Sequence, residues 1–204
     1  MYTRVNNDHA DPEDVAVLRE AFQVDDGGTS ALGWAAVREF EGAQGIVLPE
    51  PYRTFVAEIS DGSDSGPPEF GLVGLAELPD DWGDDRPERV LSRPFPLTSM
   101  WLWEDDPRPS EEVEALREPV FNDGSIVLGT DGCGMYWHLI VSGPHRGHIW
   151  NISGEGAAPF GAEFGYTTAD PGFMGWVRHW TANKSWFDAT EGSVIGSTAS
   201  DQPW

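Results

Sequence analysis

Cys133, His138, His145 and His148 fall within sixteen residues, which raises a metal site first. A structural zinc needs four such side chains to converge at about 2.0–2.3 Å from one ion. Gly143-Pro144-His145-Arg146-Gly147 reads as the loop of a hairpin. In that register His138 faces Ile152, His148 lies near Ser142 and His145 sits at the tip. The two strand histidines share a face several residues apart, and the Cys/His spacing matches no standard zinc pattern. We therefore expect no metal and no other cofactor. A thiol nucleophile comes second. It needs a base or a positive group beside it, and His138 is the candidate neighbour of Cys133. Flanking glycines that lead into a strand explain Asp131-Gly132-Cys133-Gly134 without chemistry, so a buried or half-buried structural cysteine is expected.

Gly129, Gly132 and Gly134 invite a phosphate cradle, but no Lys or Ser/Thr follows at phosphate-loop spacing. Positive φ in a tight turn is the simpler expectation for them. Carboxylates are paired at Asp80-Asp81, Asp84-Asp85 and Glu104-Asp105-Asp106, in no calcium-loop pattern. As hydrolytic groups they need a pocket that separates their pKa values. As a solvated run they need nothing. As a binding face they mimic a phosphate backbone, with Trp82, Trp101 and Trp103 interleaved as anchors beside rim charges.

The composition favours binding. The 204 residues hold 35 acidic and 12 basic side chains, a net charge of −23. Phosphate backbones and anionic membranes repel such a chain, whereas a basic protein is steered toward it. Ten Trp and ten Phe supply a core and argue against global disorder. One cysteine fits a reducing compartment, and the N-terminus shows no apolar leader, so the cytoplasm is expected. Residues 1–76 carry 14 acidic against 4 basic groups, 77–118 carry 13 against 5, and 119–204 carry 8 against 3. The partner is expected on the first two segments.

Three helical stretches are legible. Asp11-Pro12 opens one with Val15, Leu18 and Phe22 on a face, ending at Gly27-Gly28. A second runs in two pieces from about Leu32 to Ser60, the latter piece placing Tyr52, Phe55, Val56 and Ile59 at i, i+3, i+4 and i+7. The third starts at Asp170-Pro171, carries Phe173, Trp176, Val177 and Trp180, and stops at Asn183-Lys184. Strands are expected at Phe70–Leu75, Ile126–Leu128, Tyr136–Val141 and His148–Ile152. Residues 77–118 read as an acidic, Pro-rich loop, with a short helix started by Ser110 that carries Val113 and Leu116. Helices before and after a block of strands give an α+β class.

Residues 39–62 hold Glu41, Gly45, Leu48-Pro49, Tyr52, Phe55 and Asp61-Gly62 in an order that resembles the first signature of the SUKH superfamily, the Smi/Knr type. Residues 124–153, with Gly132, Gly134, Gly143, Gly147 and Trp150, resemble its second signature. Residues 94–106 resemble a connecting segment of bacterial members. The likeness covers roughly 30–187, with 1–29 as an N-terminal helical extension and 188–204 as a flexible tail. It implies a SUKH-like antiparallel or mixed sheet flanked by helices, with the motif residues structural and none catalytic. It implies an immunity protein that binds and neutralises a cognate polymorphic or contact-dependent toxin, such as a nuclease, by occluding its active cleft. The alternative it implies is a regulatory scaffold that binds a signalling or cell-wall partner, as fungal relatives do.

Overall fold

The computed structural model describes residues 9–22, 31–64, 66–83, 87–161 and 170–182. The expected helix ends at Gly27-Gly28 and Asn183-Lys184, and the tail 188–204, lie outside them. Helix α1 (Pro12–Ala21) begins as its residue types require: Asp11 accepts a 2.8 Å bond from the Glu13 amide and Pro12 takes the first position. Helix α2 (Trp34–Gln44) ends at Gly45, where φ is 68° and the amide bonds back to the Glu41 carbonyl. Helix α3 (Tyr52–Glu58) buries Tyr52, Phe55 and Val56. Helix α5 (Phe173–Thr181) buries Phe173, Trp176 and Val177.

The strands are β1 (Trp101–Leu102), β2 (Ser125–Gly132), β3 (Met135–Ile140), β4 (Ile149–Ile152) and β5 (Gly156–Pro159). They form one sheet in the order β1-β5-β4-β3-β2 with every pair antiparallel, which gives the expected α+β class. His138 pairs with Trp150, two residues from the expected Ile152. The loop carries its own turns, Arg146 to Gly143 and His148 to His145, and Gly147 closes it on the Ile140 carbonyl. A shift of two keeps every side chain on its expected face.

Both faces of the sheet are apolar. Trp137, Leu139 and Val141 pack with α1, α2, α3 and α5. Tyr136, Ile140, Trp150 and Ile152 pack on the other side with Val120 and Phe121 of helix α4 (Ser110–Asn122). That helix is longer than expected. Pro119 lies near its end, where it removes the amide that would bond the Ala115 carbonyl. The described residues of 77–118 are therefore not a loose loop. They contribute β1 and the start of α4, and they bury Trp82, Leu91, Phe95 and Trp103. Residues 70–75 are not a strand: Gly71 has φ of 87°, and the segment makes an isolated bridge, Leu72 to Ser63, beside amide bonds from Gly71 to Pro68, Val73 to Leu128 and Leu75 to the Asp61 carboxylate.

The N-terminal helix shares the main core. Leu18 is fully buried, and the Phe22 ring lies 4.8 Å from Phe55 and 6.4 Å from Phe173. Arg178 of α5 ties to Asp14 at 2.8 Å.

Glu41 holds the helical layer together. Its carboxylate is almost fully buried and accepts from the Leu48 amide at 2.8 Å and from Arg53 Nε and Nη2 at 2.7 and 2.9 Å. One side chain thus fixes the end of α2, the Leu48-Pro49 step and the start of α3. The Arg53 guanidinium lies 5.2 Å from the Trp34 ring centre, which adds a cation–π contact.

Cys133 and Gly134 form the two-residue turn between β2 and β3, with φ of 54° and 74°. Cys133 is exposed at this tip, not buried or half-buried as expected, because a turn with two positive φ values projects from the sheet.

Two stability outcomes follow. Glu41→Ala leaves the buried Leu48 amide and a half-buried guanidinium without their carboxylate and should cost about 3 kcal/mol in urea unfolding. Cys133→Asn relieves a left-handed L-residue in an Asn-Gly type of turn and should raise stability by up to about 1 kcal/mol in the same assay.

Candidate protein-binding face

The chemistry first suggested by residue types is dispersed. Cys133 is exposed at the hairpin tip, while His138 is fully buried in β3. His138 Nδ1 lies 2.9 Å from Ser125 Oγ, a nucleophile–base distance, yet both residues are inaccessible and the Trp82 ring covers the imidazole at 5.7 Å. His145 meets the Thr98 carbonyl at 3.1 Å and its ring sits 5.3 Å from His148. Burial, then the nearby His145, pushes the His148 imidazole pKa down. Among the described residues no three His, Cys, Asp or Glu side chains are placed to hold a metal ion.

Leu48, Tyr52, Phe55 and Trp150 are core residues and Pro49 is buried beside them. Burial, then the Asp61 charge, pushes the Tyr52 hydroxyl well above the ordinary phenol range. Gly62 has φ of 90°, and a Cβ there would come within 2.9 Å of the Leu72 carbonyl. Gly132, Gly134, Gly143 and Gly147 also have positive φ. Gly129 does not. It is a packing glycine in β2, where a Cβ would meet the Gly71 carbonyl and Pro68 at 2.5 Å.

Two of the expected tryptophan anchors point inward. Trp82 and Trp103 are each 5 % exposed and both pack on Phe121, at 6.2 and 5.9 Å. Trp103 Nε1 donates to the Gly154 carbonyl at 2.6 Å, so even its polar atom is engaged. They hold their segments down on Phe121. Trp101 is half-buried, against Trp103 at 5.3 Å. Its Nε1 donates to Asp106 at 2.7 Å. Asp106 also accepts from the Arg108 guanidinium at 2.7 and 2.8 Å. These bonds, led by Arg108, hold its carboxyl well below the usual carboxylate range. Asp106 is thus a local brace.

What remains outward is Asp80, Asp81, Glu104 and Asp105, all exposed. Each pair precedes or follows a tryptophan that packs on Phe121, so both pairs flank the α4 layer. Asp84 and Asp85 lie outside the described residues. The acids of the helical layer are more occupied: Glu41 with Arg53, Asp14 with Arg178, Glu50 with Thr54 and Glu58 with Trp34.

Beside Asp80 and Asp81 lies a groove of about 440 Å³. Phe70, Val73, Leu78 and Pro79 form its apolar wall, with Thr130 and Gly132 of β2 opposite. Phe70 is 69 % exposed and Leu78 41 %, and Met135 is exposed at the adjoining hairpin tip. Glu77, Asp80 and Asp81 rim the groove, and Thr130 Oγ1 donates to Asp81 at 3.1 Å. Sequence reasoning missed Phe70, Leu78 and Glu77. The available signal was Pro67-Pro68 before Phe70 and Gly71 after it, which deny residues 70–75 a regular strand and leave Phe70 without a sheet face to pack on.

A family model described as SMI1 / KNR4 family (SUKH-1) matches residues 35–169. No curated protein and no solved structure matches the chain.

Inward anchors and outward acids predict opposite responses. Trp103→Ala should cost about 3–5 kcal/mol as a vacated core site. Glu104→Gln, its exposed neighbour, should stay within about 0.5 kcal/mol. Paired thermal melts check both.

Proposed function

The chain belongs to the SMI1 / KNR4 family (SUKH-1), and from that membership we propose that it is an immunity protein that binds and neutralises a toxin protein. It acts by binding, without catalysis and without a cofactor. Its partner is a basic toxin, of the nuclease type, whose active cleft it occludes, and the encounter takes place in the cytoplasm. The observation that carries this reading is the division of labour at residues 80–82 and 103–105: Trp82 and Trp103 hold the backbone against Phe121 while Asp80, Asp81, Glu104 and Asp105 project to solvent. A backed acidic face is pre-organised, so little ordering entropy opposes docking. Its field, within a net charge of −23, steers a cationic cleft onto it. The exposed thiol and the buried Ser125–His138 pair support binding over hydrolysis, since neither offers substrate a nucleophile with a base in reach. None of the described helices is long and apolar enough to cross a membrane.

Co-expression with the toxin domain encoded beside this chain tests the reading. Cells should survive and the two proteins should co-purify. The paired reversals Asp80→Lys and Glu104→Lys should slow association roughly tenfold at low salt, with the difference shrinking at high salt. Full toxicity with no complex would sink the proposal.

A further inference from the structure

The groove beside the β2–β3 hairpin sets an exposed apolar wall against a carboxylate rim. Its wall holds an exposed aromatic ring, Phe70, and an exposed aliphatic side chain, Leu78. Its rim holds three carboxylates, Glu77, Asp80 and Asp81. None of the ion pairs among the described residues uses these three. By contrast, the shallow concavity on α4 is lined by Ser110, Glu111, Glu114, Ala115 and Glu118 and has no ring.

These features select an occupant. A purely apolar group would press carboxylates out of water with nothing to bond them. An anion is repelled. A cation with an apolar stem fits both parts, and the ring decides between the two candidates. A lysine ammonium is a compact, strongly hydrated point charge. An arginine guanidinium is flat, more weakly hydrated, stacks on aromatic faces and forks onto carboxylates. Its methylene stem lies along apolar side chains while the head stays at the rim. We propose that this groove is an arginine-reading subsite: it takes one arginine side chain of the partner protein, stacked on Phe70 and held by Asp80, Asp81 and Glu77. The proposal rests on the protein-binding reading and adds to it which side chain is recognised and where. Asp81 shares the single Thr130 hydroxyl proton with the Met135 carbonyl, each at 3.1 Å, and Asp80 and Glu77 are the adjustable acceptors.

The test needs no toxin. The ¹⁵N-labelled full chain is titrated with a blocked Gly-Arg-Gly peptide, and with Gly-Lys-Gly and Gly-citrulline-Gly as controls. The arginine peptide should give saturable shifts at Gly71, Val73, Leu78, Thr130 and Gly132. The lysine peptide should bind roughly fivefold more weakly, and citrulline, which keeps the shape and loses the charge, should not bind. Phe70→Ala and Asp80→Asn should each weaken the arginine peptide by roughly fivefold. Both are surface changes, and an otherwise unchanged spectrum confirms that each variant is folded. Shifts scattered over the acidic surface, equal binding of citrulline, or variants that titrate like the parent would overturn the site. Neutralisation of the toxin without localised shifts would remove the arginine subsite alone. Localised shifts with no toxin complex would remove the immunity reading alone.

Discussion

A sheet that is apolar on both faces must be covered twice, and most of this molecule follows from that constraint. Residues 136–141 of β3 and its exit alternate between two cores: Trp137, Leu139 and Val141 face the helices, Tyr136 and Ile140 face away. Leaving either face wet would expose several side chains, each worth about 1.5–3 kcal/mol of burial. The helices satisfy one face. The other is satisfied by Val120 and Phe121 of α4 and by Trp82, Phe95 and Trp103, drawn from a segment whose composition suggests a solvated loop. Once those rings turn inward, the carboxylates beside them have no direction left but outward. The acidic face is a by-product of how the second core is closed.

The helical side depends on a different device. Glu41 cannot be buried without donors, and it receives three, one from the Leu48 amide and two from Arg53. Because the guanidinium also lies over Trp34, which itself donates to Glu58 at 2.7 Å, the bond network links both ends of the α2–α3 unit. Gly45 must take a left-handed φ for the chain to bring Leu48 back to Glu41. Glu41, Gly45 and Leu48, which sequence shows as spaced letters, are parts of one bonded turn.

What was legible in the sequence was whatever repeats. Val15, Leu18 and Phe22, or Phe173, Trp176 and Val177, recur with the helical period, and α1, α3 and α5 stand where that period places them. Strands β2, β3 and β4 were visible as short apolar runs. Strand β1 has two residues and β5 reads Gly-Ala-Ala-Pro, too short and too poor in strand formers to signal alone. Both exist because Ile152 and Trp101 offer a ladder to Ala157. Tryptophans 82 and 103 follow no period, so their inward direction was hidden: it is set by Phe121 and the Gly154 carbonyl, which are distant in sequence. Cys133 was misread for a related reason. The residue type argues for burial, but a turn needing two positive φ values outranks residue preference.

Phe70 shows how the same backbone constraints reach the candidate site. An aromatic side chain 69 % exposed would ordinarily turn to cover itself. Here the chain on either side is pinned. Pro68 presses on Gly129 of β2, Gly71 passes so close to the Ser63 carbonyl that no Cβ fits, and Val73 bonds Leu128. The Glu69 amide adds a bond to Asp131 at 2.9 Å. With the residues before and after it fixed to the sheet edge, Phe70 is kept out of the core and lines the same groove as Glu77, Asp80 and Asp81. A group held in its binding position before the encounter gives up little entropy on docking. The glycines at 71 and 129 therefore do more than permit a close approach: they hold the backbone that carries the exposed ring against the sheet edge.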